Sequence, residues 1–118
     1  MARVLIVDDE VIFLNVIPRL FRSQGWDLIT SNKPLEAAER LRGETFDLLI
    51  TDYRMPNMTG LELIEVGIKA NPQLRVIIIT GNEHDLQGHE IPEQTTVISK
   101  PFNNGDLLAT AKLHLGTL

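Results

Sequence analysis

Five short runs of branched apolar residues recur along the chain, and segments long enough to form a helix separate them. The runs occupy residues 3–7, 27–30, 47–51, 75–80 and 96–99. Continuous apolar runs of this length are typical of strands that are buried on both faces, as in a parallel sheet. Alternating strands and helices imply right-handed crossovers that place helices on both faces of that sheet. The sequence therefore predicts an α/β domain with a (βα)5 order.

The segments between the runs carry helical signals of unequal strength. The first, third and last segments place apolar residues on one helical face: Phe13, Val16, Ile17 and Leu20; Leu61, Ile64 and Ile68; and Leu107, Ala111 and Leu115. Pro18 falls inside the first of these faces, where an interior proline should kink the helix or cost about 3 kcal/mol. The fourth segment, residues 81–94, has no such face and contains Gly88 and Pro92. We therefore predict a short or irregular fourth helix.

Composition limits the class of protein. With 118 residues and 43% hydrophobic residues, the chain suffices for one domain, which we expect to span residues 1–118 without an output domain. The absence of cysteine excludes disulfides and thiolate zinc sites. The net charge of −5 argues against direct binding to nucleic acid, which favours a basic patch. No apolar stretch approaches the ~18 residues of a membrane span, and no secretory signal is present, so we expect a cytoplasmic protein without membrane insertion.

Polar residues follow directly after four of the apolar runs. They are Asp8 and Asp9, Asp52, Thr80, and Lys100 with Pro101. The carboxyl ends of parallel strands lie on one edge of a sheet, and open α/β sheets bind their ligands at that edge. We therefore expect a crevice that contains three carboxylates, one hydroxyl and one ammonium group.

This combination of groups suits a divalent cation and a phosphoryl group. Crowded carboxylates raise one another's pKa, and a cation relieves their repulsion. Oxygen ligands without Cys or His favour Mg²⁺ or Mn²⁺, and Mg²⁺ takes only one or two carboxylates, which leaves a carboxylate oxygen free as a nucleophile. Lys100 supplies a compact charge for a phosphoryl oxygen, and the Thr80 hydroxyl can donate to another. Each residue alone has an ordinary explanation, as a helix cap, a strand residue or a surface lysine, but their shared position favours a joint site.

Four segments carry a resemblance that spans nearly the whole chain. They are VLIVDDE at the first strand, DLLITDYRMPNMTGLELI around the third, VIIITG at the fourth and VISKPF at the fifth. In these segments the chain resembles the receiver domain of two-component response regulators, and Asp52, Met55-Pro56 and Gly60 fall where that family has them. The resemblance implies a doubly wound, flavodoxin-like fold with a five-stranded parallel sheet in the order 2-1-3-4-5, in agreement with the (βα)5 pattern.

The resemblance also implies roles for the acidic residues. Asp52 would accept a phosphoryl group from a phosphohistidine on a partner. Asp9 and Asp52 would ligate Mg²⁺ directly, or Mn²⁺ in its place, together with the backbone carbonyl of Arg54. Asp8 would act on the ion largely through water. The chain would thus be a phosphorylation-dependent switch of a two-component phosphorelay.

The remaining site residues would respond to the phosphoryl group. Lys100 would stabilise its oxygens, Thr80 would turn towards them on activation, and Pro101 would hold a tight turn after Lys100. Such a protein is not a conventional enzyme, because it catalyses only its own phosphorylation and dephosphorylation. Its implied partners are a sensor histidine kinase or a phosphotransfer protein, and a downstream effector that it reaches by protein contact.

Two features depart from the pattern of the family. Many receivers have an aromatic residue three positions before the lysine of the fifth strand, and here that position is Val97. Fewer residues separate Thr80 from Lys100 than is typical, and the deficit falls in the segment that lacks a helical face. We therefore expect the signal to leave by a less usual route. Arg54, two positions after Asp52, either pairs with the phosphoryl group or is solvated, and the sequence leaves both readings open.

Three other functions compete with the phosphorylation switch. An aspartate-nucleophile phosphatase needs an Asp-x-Asp pair at one strand end, whereas Asp8 and Asp9 are adjacent. A flavodoxin-like cofactor binder needs a Ser/Thr/Gly-rich phosphate loop after the first strand, and DDEVIF is acidic at that place. A degenerate receiver that acts only as an interaction module stays open as the alternative, although the site residues are intact.

Overall fold

A five-stranded parallel sheet forms the centre of the molecule, and helices cover both of its faces. The computed structural model describes residues 1–116, apart from the side chain of Glu83. The strands are β1 (Arg3–Val7), β2 (Asp27–Ser31), β3 (Leu48–Asp52), β4 (Arg75–Thr80) and β5 (Thr95–Ser99). Neighbouring strands are parallel, and their order across the sheet is β2-β1-β3-β4-β5. The predicted fold class and strand order are confirmed.

Four α-helices connect or follow the strands. They are α1 (Val11–Phe21), α2 (Pro34–Gly43), α3 (Gly60–Ala70) and α4 (Asn104–Leu115). The segment between β4 and β5 forms only a 3₁₀ turn, Glu83–Leu86, in which the Asn82 side chain accepts a hydrogen bond from the His84 backbone. The predicted short or irregular fourth helix is therefore confirmed, and its cause is the missing apolar face, without which a helix has little to pack against the sheet.

Each face of the sheet supports its own apolar layer, because the three central strands are buried on both sides. One layer packs under α2 and α3, and the other packs under α1 and α4. The predicted faces of α3 and α4 point into these layers: Leu61, Ile64 and Ile68 in α3, and Leu107, Ala111 and Leu115 in α4.

The predicted buried face of α1 is partly wrong. Ile17 and Phe21 form its buried centre, whereas Val16 is 38% exposed. Two apolar faces overlap in this helix, and the one that carries the larger Phe21 ring turns towards the sheet because it buries more apolar surface. Pro18 lies inside α1 without ending it, and the helix gives way to a 3₁₀ turn, Arg22–Gln24, only after Phe21.

The register of the strands brings their carboxyl ends to one edge of the sheet. Val7 is level with Thr51, and Thr80 is level with Ser99. The loop after β3 folds back tightly, since the Gly60 backbone N–H donates to the Tyr53 carbonyl at 2.8 Å. A Cβ atom at Gly60 would collide with the Asp52 carbonyl oxygen, so glycine is required for this approach.

Candidate functional site

Three carboxylates meet where β1 and β3 end. Asp8 and Asp9 directly follow β1, and Asp52 is the last residue of β3. One carboxylate oxygen of each residue lies within 4.8 Å of the other two. Asp8 and Asp52 are buried, with 3% and 6% of their surface exposed, whereas Asp9 is exposed. The structure thus brings together the three acidic residues that the sequence singled out.

Burial sets the electrostatics of this cluster. It raises the pKa of Asp8 to about 6. The hydrogen bond that the Glu10 backbone N–H donates to Asp8 at 2.9 Å lowers this pKa, and the nearby Asp52 charge raises it further. Burial also raises the pKa of Asp52, and Lys100 opposes this shift. Two desolvated carboxylates beside a third are unfavourable unless a cation joins them. An all-oxygen donor set of this kind fits Mg²⁺ or a similar hard ion.

Lys100 is held against the acidic cluster from two sides. Its Nζ lies 3.3 Å from Asp52 Oδ1 and 4.6 Å from the centre of the Phe13 ring. Phe13 in turn packs against Phe102, with ring centres 6.1 Å apart. The peptide bond between Lys100 and Pro101 is cis. Phe13 contributes to the site by supporting the ammonium group, a cation–π contact that sequence spacing did not indicate.

Thr80 lies at the same edge, but its hydroxyl is engaged elsewhere. Its Oγ1 donates towards the Asn82 carbonyl at 3.0 Å and the Asp85 carboxylate at 3.2 Å. The Arg54 guanidinium also binds Asp85, with a shortest distance of 2.7 Å. Arg54 lowers the pKa of Asp85, and the Thr80 hydroxyl adds to this effect.

A crevice joins all of these groups. Its lining consists of Asp9, Glu10, Asp52, Arg54, Thr80, Gly81, Asn82, Asp85 and Lys100. Asp85 is a crevice residue that sequence reasoning missed, because it lies in a polar segment without periodicity, and only folding brings it to Arg54. Another groove lies between α2 and α3, and its lining includes Arg42, Met58, Glu62 and Lys69. It contains none of the three aspartates of the acidic cluster.

Several apolar and histidine side chains lie outside the crevice. Ile12 is 73% exposed on α1, whereas Leu14 packs against the apolar layer. His114 is half-buried, and its ring forms a hydrogen bond with the Thr96 hydroxyl at 2.8 Å and accepts one from Arg75 Nε at 3.2 Å. His84 and His89 are exposed. In residues 1–116 no helix has the length and apolar character needed to cross a membrane.

The fold and the acidic edge together define a class of signalling domains, and sequence comparison identifies the family. Residues 4–112 match the response regulator receiver domain, and the chain belongs to this family of two-component systems. It is 31% identical over 110 residues to the response regulator receiver protein CpdR of Brucella abortus, and the match covers 92% of both chains. It is 30% identical to the transcriptional regulatory protein CpxR homolog of Haemophilus influenzae, covering 98% of this chain but only 51% of that protein.

Solved structures agree with this assignment. A CheY-like receiver domain protein from Methanospirillum hungatei has a TM-score of 0.84 at 27% identity, covering 99% of this chain and 95% of that one. The receiver domain of the hybrid histidine kinase CckA has a TM-score of 0.82 at 28% identity, covering 97% and 99%. The fold therefore occurs both in short receiver proteins and as one part of longer signalling proteins.

Proposed function

We propose that the protein is a phosphorylation-dependent switch of a two-component phosphorelay, in which Asp52 accepts a phosphoryl group from a phosphohistidine. The observation that carries this proposal is the environment of Asp52. Its carboxylate is buried between two further carboxylates and the Lys100 ammonium group, 3.3 Å away. The donor would be a sensor histidine kinase or a phosphotransfer protein.

The transfer needs positioning and charge neutralisation more than covalent chemistry. An electron pair on an Asp52 carboxylate oxygen attacks phosphorus and forms the new O–P bond. The bond between phosphorus and the histidine nitrogen breaks, and the imidazole leaves with the electron pair of that P–N bond. An acyl phosphate remains on Asp52. Lys100 balances charge on the phosphoryl oxygens, and the Thr80 hydroxyl donates to one of them once it leaves its present partners.

The acidic cluster would hold Mg²⁺, with Mn²⁺ as a substitute. Asp9, Asp52 and the backbone carbonyl of Arg54 would be its direct ligands, and Asp8 would act through water. When bound, the ion neutralises charge that the carboxylates and the phosphoryl group bring together. This assignment is supported by three carboxylate oxygens within 4.8 Å of one another, since all three ligand atoms that the cluster offers are oxygens.

The wider proposal concerns how the switch acts. Residues 1–118 would form one receiver domain that works in the cytoplasm, without membrane insertion or direct contact with nucleic acid. It would pass its signal to an effector by protein contact, and it would catalyse only its own phosphorylation and dephosphorylation. Support comes from the net charge of −5 and from the match to receiver domains in proteins of different length.

Intact-mass spectrometry tests the proposal directly. Incubation with acetyl phosphate and Mg²⁺ should add one phosphoryl group to the protein, and chelation of the metal should prevent it. Asp52→Asn should abolish the adduct, whereas the matched control Asp106→Asn, at an exposed position in α4, should label normally. No adduct on the unmutated protein, or an equal adduct on Asp52→Asn, would refute the switch and favour a receiver that acts only as an interaction module.

A further inference from the structure

Asp85 links the two loops that flank the phosphoryl-acceptor residue. Its carboxylate accepts hydrogen bonds from the Arg54 guanidinium at 2.7, 3.1 and 3.3 Å. The same carboxylate accepts from the Thr80 hydroxyl at 3.2 Å. Arg54 belongs to the loop after β3, and Asp85 lies in the 3₁₀ turn after β4. The Asp85 side chain is only 9% exposed although Arg54 is 72% exposed, so the pair covers this end of the crevice.

The two donors that Asp85 occupies also line the crevice in which a phosphoryl group on Asp52 would lie. A phosphoryl group brings nearly two negative charges and three strong acceptor oxygens. The Asp85 carboxylate therefore presents, before phosphorylation, the kind of acceptor that the phosphoryl group presents afterwards. The Thr80 hydroxyl has a single proton, which the Asn82 carbonyl at 3.0 Å and the Asp85 carboxylate at 3.2 Å already share, so it cannot also donate fully to a phosphoryl oxygen. The Asp85 carboxylate and the phosphoryl group must therefore compete for this proton.

We propose that Asp85 is a positioning residue that holds Thr80 and Arg54 in the unphosphorylated arrangement and releases them when Asp52 carries a phosphoryl group. This inference rests on the proposed function of Asp52. It gives the segment between β4 and β5 a direct mechanical link to the site, because Asp85 is part of that segment. When Asp85 loses its contacts with Thr80 and Arg54, the 3₁₀ turn that carries it would move. This route needs no aromatic residue at the position of Val97.

The size of the effect follows from population arithmetic. A ligand that binds only the released arrangement has an apparent affinity equal to its intrinsic affinity multiplied by the fraction of molecules already released. The Arg54 pair is largely solvated and contributes little, whereas the bond from Thr80 to an ionised acceptor contributes more. We expect Asp85 to weaken binding of a phosphoryl mimic about threefold to tenfold.

Beryllofluoride binding in the presence of Mg²⁺ measures this competition. Asp85→Asn keeps the size of the side chain but removes its charge, and it should bind beryllofluoride about threefold to tenfold more tightly than the unmutated protein. Glu90→Gln removes a charge at an exposed position of the same segment and should leave the affinity unchanged. Equal or weaker binding by Asp85→Asn would overturn the proposal.

A double variant that lacks the Thr80 and Arg54 donors distinguishes a positioning role of Asp85 from simple charge repulsion. In Thr80→Val/Arg54→Met the Asp85 carboxylate has neither donor to hold. Adding Asp85→Asn to this background should change beryllofluoride affinity less than about twofold, since only long-range charge effects remain. A gain as large as in the parent protein would show that Asp85 acts only through its charge, and the positioning role would be wrong.

The metal-free protein allows a measurement that does not depend on bound Mg²⁺ or beryllofluoride. In NMR spectra the Thr80 methyl and the Arg54 Nε–H signals should shift in Asp85→Asn, because both side chains lose the carboxylate to which they donate. Unchanged signals in that variant would overturn the inference. If the unmutated protein forms its acyl phosphate normally while Asp85→Asn behaves like it in both assays, only this inference fails and the proposed function stands.

Discussion

At the scale of single residues, burial makes the three carboxylates of the site unequal. Asp9 is exposed and keeps much of its hydration, whereas Asp8 and Asp52 are almost fully buried. A buried carboxylate loses solvation that only a cation or hydrogen bonds can replace. Asp52 has Lys100 at 3.3 Å, and Asp8 depends chiefly on the Glu10 backbone N–H. The ionised Asp8 carboxylate is therefore unfavourable in the folded protein, and a bound cation would stabilise it.

Asp8→Asn should stabilise the metal-free protein in a pH-dependent way. The folded state raises the pKa of Asp8 from 3.8 to about 6, so the ionised carboxylate lowers the free energy of unfolding above about pH 6, and this cost vanishes below pH 3.8. Urea unfolding with a chelator present should show a gain of about 1–2 kcal/mol at pH 7.5 and almost none near pH 4. The control Asp9→Asn should give a smaller gain because Asp9 is exposed. A loss of stability at pH 7.5, or an equal gain at both pH values, would contradict this explanation.

At the scale of elements, the close approach of α3 to β3 fixes the loop that carries Arg54. Gly60 begins α3 directly against the Asp52 carbonyl, and the Thr59 side chain caps the helix in a reciprocal pair with Glu62. The tight packing sets where the acceptor strand ends and where the loop begins. A side chain at Gly60 would push α3 away from the site.

Gly60→Ala should therefore destabilise the protein by about 2–4 kcal/mol, because the new methyl group meets backbone atoms that cannot move aside. Gly43→Ala is the matched control, since a Cβ there meets no atom within 4 Å. That variant should be as stable as the parent or slightly more stable. Chemical denaturation measures both, and a loss below about 0.5 kcal/mol for Gly60→Ala would show that the loop adapts to the methyl group.

The strands and helices were predictable from the sequence wherever a segment carried a single apolar pattern. The five apolar runs predicted the strands within a residue at each end, and the faces of α3 and α4 followed from simple spacing. In α1 two apolar faces overlapped, so packing against the sheet decided between them. At the site, residues at strand ends were predictable from topology, but the contact of Arg54 with Asp85 spans 31 positions and carries no local signal.

At the scale of the whole molecule, order is distributed unevenly around the sheet. The three central strands are buried on both faces, and α1 to α4 each pack against an apolar layer. Between β4 and β5 a 3₁₀ turn and mostly exposed residues take the place of a helix. The part of the molecule that leads away from Thr80 is thus the least supported by apolar contact among the described connections between strands. A switch built on this fold can move that segment without disturbing the core.

Native-state hydrogen exchange should reveal this difference. Amides of residues 84–91 should exchange at least ~100-fold faster than interior amides of α3, because few apolar contacts oppose local opening there. The α3 amides serve as an internal control, since Leu63 and Ile64 are fully buried and should open only with global unfolding. Beryllofluoride with Mg²⁺ should change exchange at residues 84–87 more than in α3, as expected if the turn responds to the site. Exchange as slow in residues 84–91 as in α3 would mean that the segment is a cooperative part of the core, and the route from Thr80 through this turn would have to be abandoned.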